Sequence, residues 1–384
     1  MSKPQLLLHI GSCKTGTTAL QDTLAAQRQA LAGRGVLYHG WIDDGLNRNH
    51  SFLAALLANE TGREPVTHFF ADLAGECQRQ RASRAIVSAE GFYALEFVND
   101  TIWFVTPPLE PEAFRRSRKE YIQRMRDCIG ERFATKVVVY LRRQDHFLNS
   151  LHNQLVKDVF AYTGTIGDFA RDWGILGDYG LLLDLWAEAF GAGALIVRIY
   201  EPHRARDIVP AFFTEILGLP APTGDALAAV RSSRGNQGLP PDLLEYKRIL
   251  NRQFAGLCFE EKRKLRDDLM RLAAEENRGP KMLMSAAERR VLLARYEESN
   301  RRVAKLYWRG SGPLFTEELP GPEAPHGSPA ALSVERAVQI GVNLRLPDPP
   351  RPPPAPETPK ETRWRRWRRK WFRPRKDSQP ARSS

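Results

Sequence analysis

Along the first 240 residues, short apolar runs alternate with segments whose apolar positions recur at helical spacing. Residues 6–10 (Leu6-Leu7-Leu8-His9-Ile10) form one such run, and residues 85–88, 136–141 and 195–200 form others. Each is bounded by polar or glycine-containing sequence, as expected of a strand buried on both faces. Residues 17–32 lack Pro and Gly and are rich in Ala, Leu and Gln, which predicts a helix. Further helices are predicted over 145–160, 179–190 and 208–217. Past Gly238 the pattern becomes wholly helical (241–251, 259–276 and 285–307). Strands alternating with helices predict a three-layer α/β/α fold around a mainly parallel sheet, with a helical C-terminal part.

The chain has 384 residues, 42% hydrophobic and 27% charged, enough to bury one large core or two smaller ones. No apolar run approaches the ~20 residues that span a bilayer. No signal-peptide core follows Leu8, because His9, Gly11 and Lys14 interrupt it. The four cysteines (Cys13, Cys77, Cys128, Cys258) contain no Cys-x-x-Cys pair, so a disulfide framework and a structural zinc site are both disfavoured. A reducing, cytoplasmic setting is the expectation.

The net charge of +12 is unevenly placed. Residues 351–384 hold 12 basic and three acidic side chains, a net +9, leaving +3 for everything before them. The folded part is therefore nearly balanced, which weakens a nucleic-acid interpretation. Fourteen of the 27 prolines lie in the final 66 residues. Such composition cannot bury enough apolar surface to fold alone, so the domain boundary is expected near residue 318, with a largely disordered tail over 319–384. Within it, only residues 334–346 carry enough apolar character to dock on the domain. Near 363–373, Trp364, Trp367 and Trp371 stand at i, i+3 and i+7 among arginines. A helix would gather the rings on one face, the pattern of an interfacial segment on an anionic membrane. A tail without a partner ranks next, and nucleic-acid binding last.

The chemistry begins after the first predicted strand. Gly11-x4-Gly16-Thr17-Thr18 has the glycine spacing of a nucleoside-triphosphate loop, in which backbone N–H groups and a helix N-terminus converge on anionic oxygen. In that motif a lysine follows the second glycine; here Thr17 takes that place and the cation is Lys14, inside the loop.

The segment from Leu8 to Gln21 resembles the opening of bacterial sulfotransferases that use 3′-phosphoadenosine-5′-phosphosulfate (PAPS) as sulfuryl donor. The resemblance implies a P-loop-kinase-like fold. It also implies donor binding by Lys14, Thr15, Gly16, Thr17 and Thr18, with Lys14 on the departing phosphate. Family members carry a strand ending in arginine and a serine eight residues later, both on the donor's 3′-phosphate. The strand ending at Arg142, with Ser150 eight residues beyond, is similar. A guanidinium forks onto phosphate and a hydroxyl adds a hydrogen bond. Where the family often has Asp-Pro, this chain has Arg143-Gln144, which leaves Arg142 and Arg143 both open as the phosphate ligand. Arg234, in the loop Arg231–Gly238, partly echoes a late basic loop of eukaryotic relatives.

Sulfuryl transfer needs in-line geometry, charge neutralisation on the leaving phosphate and removal of the acceptor's proton. No metal is expected, because the donor has one phosphate beside the sulfuryl group. Glu90, delivered at the end of the 85–88 strand, is the leading base; a salt-bridged glutamate or a magnesium-holding carboxylate are the rival readings. His50 is the second base candidate, and His9 is expected to be packed. Residues 38–133 read as loop-rich and hold Trp41, Phe69, Phe70, Phe92, Tyr93, Trp103 and Phe104, most of them expected in the core. The expected acceptor is a hydroxyl or amine of a carbohydrate, glycolipid or small molecule. An ATP-dependent small-molecule kinase and a non-catalytic membrane or nucleic-acid binder are the alternatives.

Overall fold

A computed structural model of the chain describes residues 3–12, 14–38, 49–58, 60–98, 101–104, 110–200, 208–223, 238–278, 282–308, 310–323, 326–327 and 332–344. Its strands are β1 (Gln5–His9), β2 (Val36–Leu37), β3 (Arg84–Ser88), β4 (Leu95–Val98), β5 (Thr101–Phe104), β6 (Ala134–Arg142) and β7 (Leu195–Tyr200). Five of them make a sheet of order β2-β3-β1-β6-β7, every pair parallel. The remaining two, β4 and β5, form an antiparallel hairpin. The protein is α/β.

Strand alternation explains why the sheet needs cover on both faces. Leu6, Leu8 and Ile10 of the first strand and its exit join Val87 and Val139 in one core. Leu7, Ile86 and Val138 point the other way, into a second. The second core is closed by Leu20 and Leu24 of helix Thr17–Ala26 and by Phe212 and Phe213. The larger core holds Phe70, Phe114, Phe147 and Trp186 from four helices. Fully burying such side chains contributes roughly 2–3 kcal/mol each.

Several expected elements differ in detail. Residues 17–32 split at Gln27 (φ −97°, ψ 8°) into Thr17–Ala26 and Arg28–Ala32. Residues 285–307 split at Tyr296, whose buried hydroxyl donates to the Gly174 carbonyl at 2.7 Å; the break lets that ring turn inward. The described part of residues 38–133 is not loop-rich. They contain helices Ser51–Leu57, Arg63–Arg79 and Pro111–Ile129, and Phe69, Phe70, Phe92 and Tyr93 are buried core. Trp41 lies outside the described residues, and only the backbone of Trp103 and Phe104 is described.

The compact unit runs to Leu344, past the boundary expected near 318. Helix Val334–Leu344 buries Ile340 and Leu344, and Arg336 pairs with Asp242 (2.8 Å) and Glu276 (2.7 Å). The 345–384 segment, including the Trp/Arg stretch, lies outside the described residues, as does Arg234. Among the described residues no helix is long and apolar enough to cross a membrane.

Candidate functional site

Open parallel sheets bind ligands beyond the carboxyl ends of their strands, where the strand order turns back. Here that place lies at β1, flanked by β3 and β6. The strand β6 outruns its neighbour: Val138 pairs with His9, so Tyr140, Leu141 and Arg142 continue beside the loop that follows β1. The overrun ties the loop down. Ser12 Oγ donates to the Tyr140 carbonyl (2.7 Å), and Arg142 Nη1 donates to the Lys14 carbonyl (3.1 Å).

The loop closes through left-handed backbone at Gly11 (φ 48°), Lys14 (φ 69°) and Gly16 (φ 81°). A Cβ on Gly16 would stand 3.1 Å from Ile208. Lys14 adopts this region without glycine's freedom, at a cost of about 1 kcal/mol or more. Gly16 is also the N-cap of helix Thr17–Ala26 and brings no side chain to its first-turn N–H groups. Those donors and the helix dipole favour an anion. Inside the loop, Thr15 Oγ1 donates to the Ser12 carbonyl (2.7 Å) and approaches Thr17 Oγ1 (3.4 Å). The side chains of Thr15 and Thr17 are thus buried in the loop's own structure, whereas Thr18 is exposed and Gly16 half-buried.

A cavity of about 270 Å³ opens beside the loop, lined by Lys14, Arg142, His146, Asn149, Ser150, Asn153, Gln154, Gly238 and Met282. Lys14, Arg142 and Ser150, chosen from separate stretches of sequence, share this one space. Helix Gln144–Lys157 supplies five of the lining residues, at positions 146, 149, 150, 153 and 154, which is one face of a helix. Two of these also build the wall. Asn153 exchanges a pair of hydrogen bonds with the backbone of Leu239 (2.8 and 3.0 Å), and Asn149 accepts from Leu283 N (2.9 Å). Their amides hold the chain next to Gly238 and Met282 against the cavity.

The neighbouring arginines have different surroundings. Arg143 is bound through Nε and Nη2 to Asp145 (2.9 and 3.0 Å) and through Nη1 to the carbonyls of Glu317 and Glu318 (both 3.0 Å). Arg289 shares Asp145 Oδ2 with Arg143 Nη2 (2.7 Å). Burial pushes the Asp145 carboxyl up, but hydrogen bonds from Arg143 and the nearby positive charges outweigh it and hold it at about 2. Arg142 instead lies over the Tyr200 ring (5.5 Å to its centre) and makes no ion pair among the described residues. Its Nε is buried without a hydrogen-bond acceptor, and burial pulls its pKa below the usual arginine value. A desolvated guanidinium with spare N–H donors facing a cavity is suited to an anion.

On the other side of the loop stands Glu90. A Cβ on Gly11 would come within 3.2 Å of Thr17 Oγ1 and touch Glu90 Cγ at 3.5 Å, which places the carboxylate directly beside the start of the loop. Burial pushes the Glu90 carboxyl above the ordinary range; the Lys14 charge and a hydrogen bond with the Thr17 hydroxyl oppose the rise. His50 is placed otherwise. Its ring packs edge-on against Tyr38 and Phe69, and its Nδ1 lies against the Ser88 backbone, 3.1 Å from the N–H and 3.4 Å from the carbonyl. Either tautomer of the ring therefore finds a backbone partner there. His9 is fully buried, hydrogen-bonded to Ser88 Oγ (2.8 Å) and lowered to about 4 by burial.

Sequence reasoning missed Gln154, which accepts from Lys14 Nζ at 3.1 Å, and Lys157, which burial and the Lys14 charge lower to about 8. The polar stripe at helical spacing after Arg142 was the readable signal. No family model, curated protein or solved structure matches this chain.

Proposed function

We propose that this protein is a sulfotransferase on a P-loop-kinase-like fold, moving a sulfuryl group from PAPS to a hydroxyl or amine of a carbohydrate, glycolipid or small-molecule acceptor. One observation carries the reading: Lys14, Arg142 and Ser150 line the same cavity. In this reading Arg142 and Ser150 take the donor's 3′-phosphate. The loop amides and Lys14 take the 5′-phosphate. Arg143, occupied by Asp145 and two carbonyls, is left out of the ligand set.

Acceptor oxygen attacks sulfur, the bond from sulfur to the bridging oxygen breaks, and that oxygen leaves on the adenosine bisphosphate. Lys14 neutralises the charge that develops there. Glu90 lies across the loop from the cavity and within electrostatic reach of Lys14, so the acceptor approaches from its side and gives it the proton. Its raised pKa makes it a stronger base than an exposed glutamate. The acceptor's proton and the leaving charge are thereby handled on opposite sides of Lys14.

A second reading has one observation in its favour. The Glu90–Thr17 hydrogen bond is also how a carboxylate and a helix-start hydroxyl would share a magnesium ion, the arrangement of an ATP-dependent kinase. Calorimetry separates the two. The sulfotransferase reading expects adenosine 3′,5′-bisphosphate to bind without magnesium and in strong preference to ATP. Magnesium-dependent binding of ATP with no response to the bisphosphate would reverse the assignment.

A further inference from the structure

The loop lysine is the first member of a series of side chains. Lys14 Nζ donates to Gln154 Oε1 at 3.1 Å. The Gln154 amide nitrogen donates in turn to Asp158 Oδ2. Asp158 Oδ1 accepts from Arg266 Nη1 at 3.4 Å, which carries the series to helix Phe259–Glu275. The polarity is consistent at each step: a cation meets the amide oxygen and an anion meets the amide nitrogen. That pairing fixes which way the amide faces. Gln154 also lies one helical turn beyond Ser150, and both line the cavity with Lys14.

The residue type matters as much as the contact. A carboxylate at this position would hold the lysine more tightly, but it would cancel the charge that an incoming phosphate needs and would itself repel that phosphate. An aliphatic side chain would leave a long, rotamer-rich lysine to be ordered at the moment of binding. A neutral amide, anchored from behind by Asp158, holds the ammonium without adding a negative charge of its own.

We infer that Gln154 is a positioning residue, acting through Lys14: it pre-places the ammonium at the cavity for an anionic nucleotide. This rests on the donor-site reading above. The Asp158–Arg266 pair keeps Gln154 in that role. Gln154 itself takes no part in bond making.

The test is a double-substitution cycle, read by calorimetry with adenosine 3′,5′-bisphosphate on the full chain. Gln154→Ala is expected to weaken binding roughly fivefold when Lys14 is present and to change nothing in a Lys14→Ala background, since residues that act as a unit are non-additive. Gln154→Glu is expected to weaken it about tenfold or more at pH 8, with the deficit relative to wild type persisting at pH 5 and shrinking only as pH falls through the ordinary glutamate value of about 4.3 and the introduced carboxyl takes up a proton. Should Gln154→Ala fold poorly, Gln154→Asn, one methylene shorter, gives the same cycle. Equal losses in both backgrounds would overturn the inference, as would Gln154→Glu binding like wild type. A wild-type protein that ignores the bisphosphate would remove the donor-site reading and this inference together; a binding wild type with an additive cycle removes this inference alone.

Discussion

The two sides of the loop between β1 and helix Thr17–Ala26 treat their polar side chains differently. Beyond β3, His50 and Ser88 are buried and engaged by backbone or by neighbours within the fold, while Glu90 is half-buried beside the loop. Beyond β6, Arg142 and Ser150 face an open cavity, and Arg142 is left with a buried donor that nothing accepts. The fold satisfies Arg143 with four acceptors and leaves the adjacent Arg142 one short, which is the difference the proposed donor site rests on. Satisfied polar groups hold the structure together; unsatisfied ones at a cavity point to what enters it.

The comparison breaks most sharply at the lysine that both sides share. Lys14→Ala is expected to lower sulfuryl transfer by about 10²–10³, the usual loss on removing one donor to a developing oxyanion, measured in single turnovers with labelled donor. Turnover at the wild-type rate would end its role. The arginine pair comes next, because the two substitutions should divide cleanly. Arg143→Ala leaves the buried Asp145 carboxylate with Arg289 alone and should destabilise the fold by about 2 kcal/mol, seen in denaturant melts. Arg142→Ala loses only its bond to the Lys14 carbonyl and its contact with Tyr200, about 1 kcal/mol in the melt, while weakening bisphosphate binding by about 2 kcal/mol, the worth of a charge-assisted bond. Reversed outcomes would exchange the two residues' assignments.

Glu90→Gln sharpens the base side. Donor affinity should hold while transfer falls about 10²-fold; lost affinity instead would mark a structural glutamate. In the wild type the base works only when ionised, so the rate should fall as pH drops through its pKa. Burial raises that pKa, and the acid limb should therefore lie above the ordinary glutamate value of about 4.3. A limb at or below it would remove the carboxylate from the rate-determining proton transfer.

Much of this could be read before any coordinates. Four of the five sheet strands are visible as apolar runs, and β7 and helix Tyr179–Phe190 fall where the pattern places them. The missed edge strand, Val36–Leu37, is two residues long and carries no periodic signal. Helix Pro111–Ile129 is so rich in arginine that its buried stripe of Phe114, Tyr121, Ile122 and Met125 is diluted to the eye. Helix Val334–Leu344 sits in proline-rich surroundings, and its docking depends on Arg336 finding Asp242 and Glu276 from elsewhere in the chain.

The chain's local order determined the strand–loop–helix units, since apolar runs, glycines with left-handed backbone and helix starts are properties of neighbouring residues. Which residues meet was decided only in three dimensions. Arg142 and Arg143 are indistinguishable in the sequence, and it is the overrun of β6 past β1 that points one at the loop and cavity while Asp145 and the chain at 317–318 take the other. His50 and Glu90 are both base candidates in the sequence, and the fold gives them different surroundings: the His50 Nδ1 lies against the Ser88 backbone, and Glu90 stands beside Gly11 within electrostatic reach of Lys14. Availability for chemistry is what remains after the fold has satisfied its own polar groups, and only the packed chain settles that remainder.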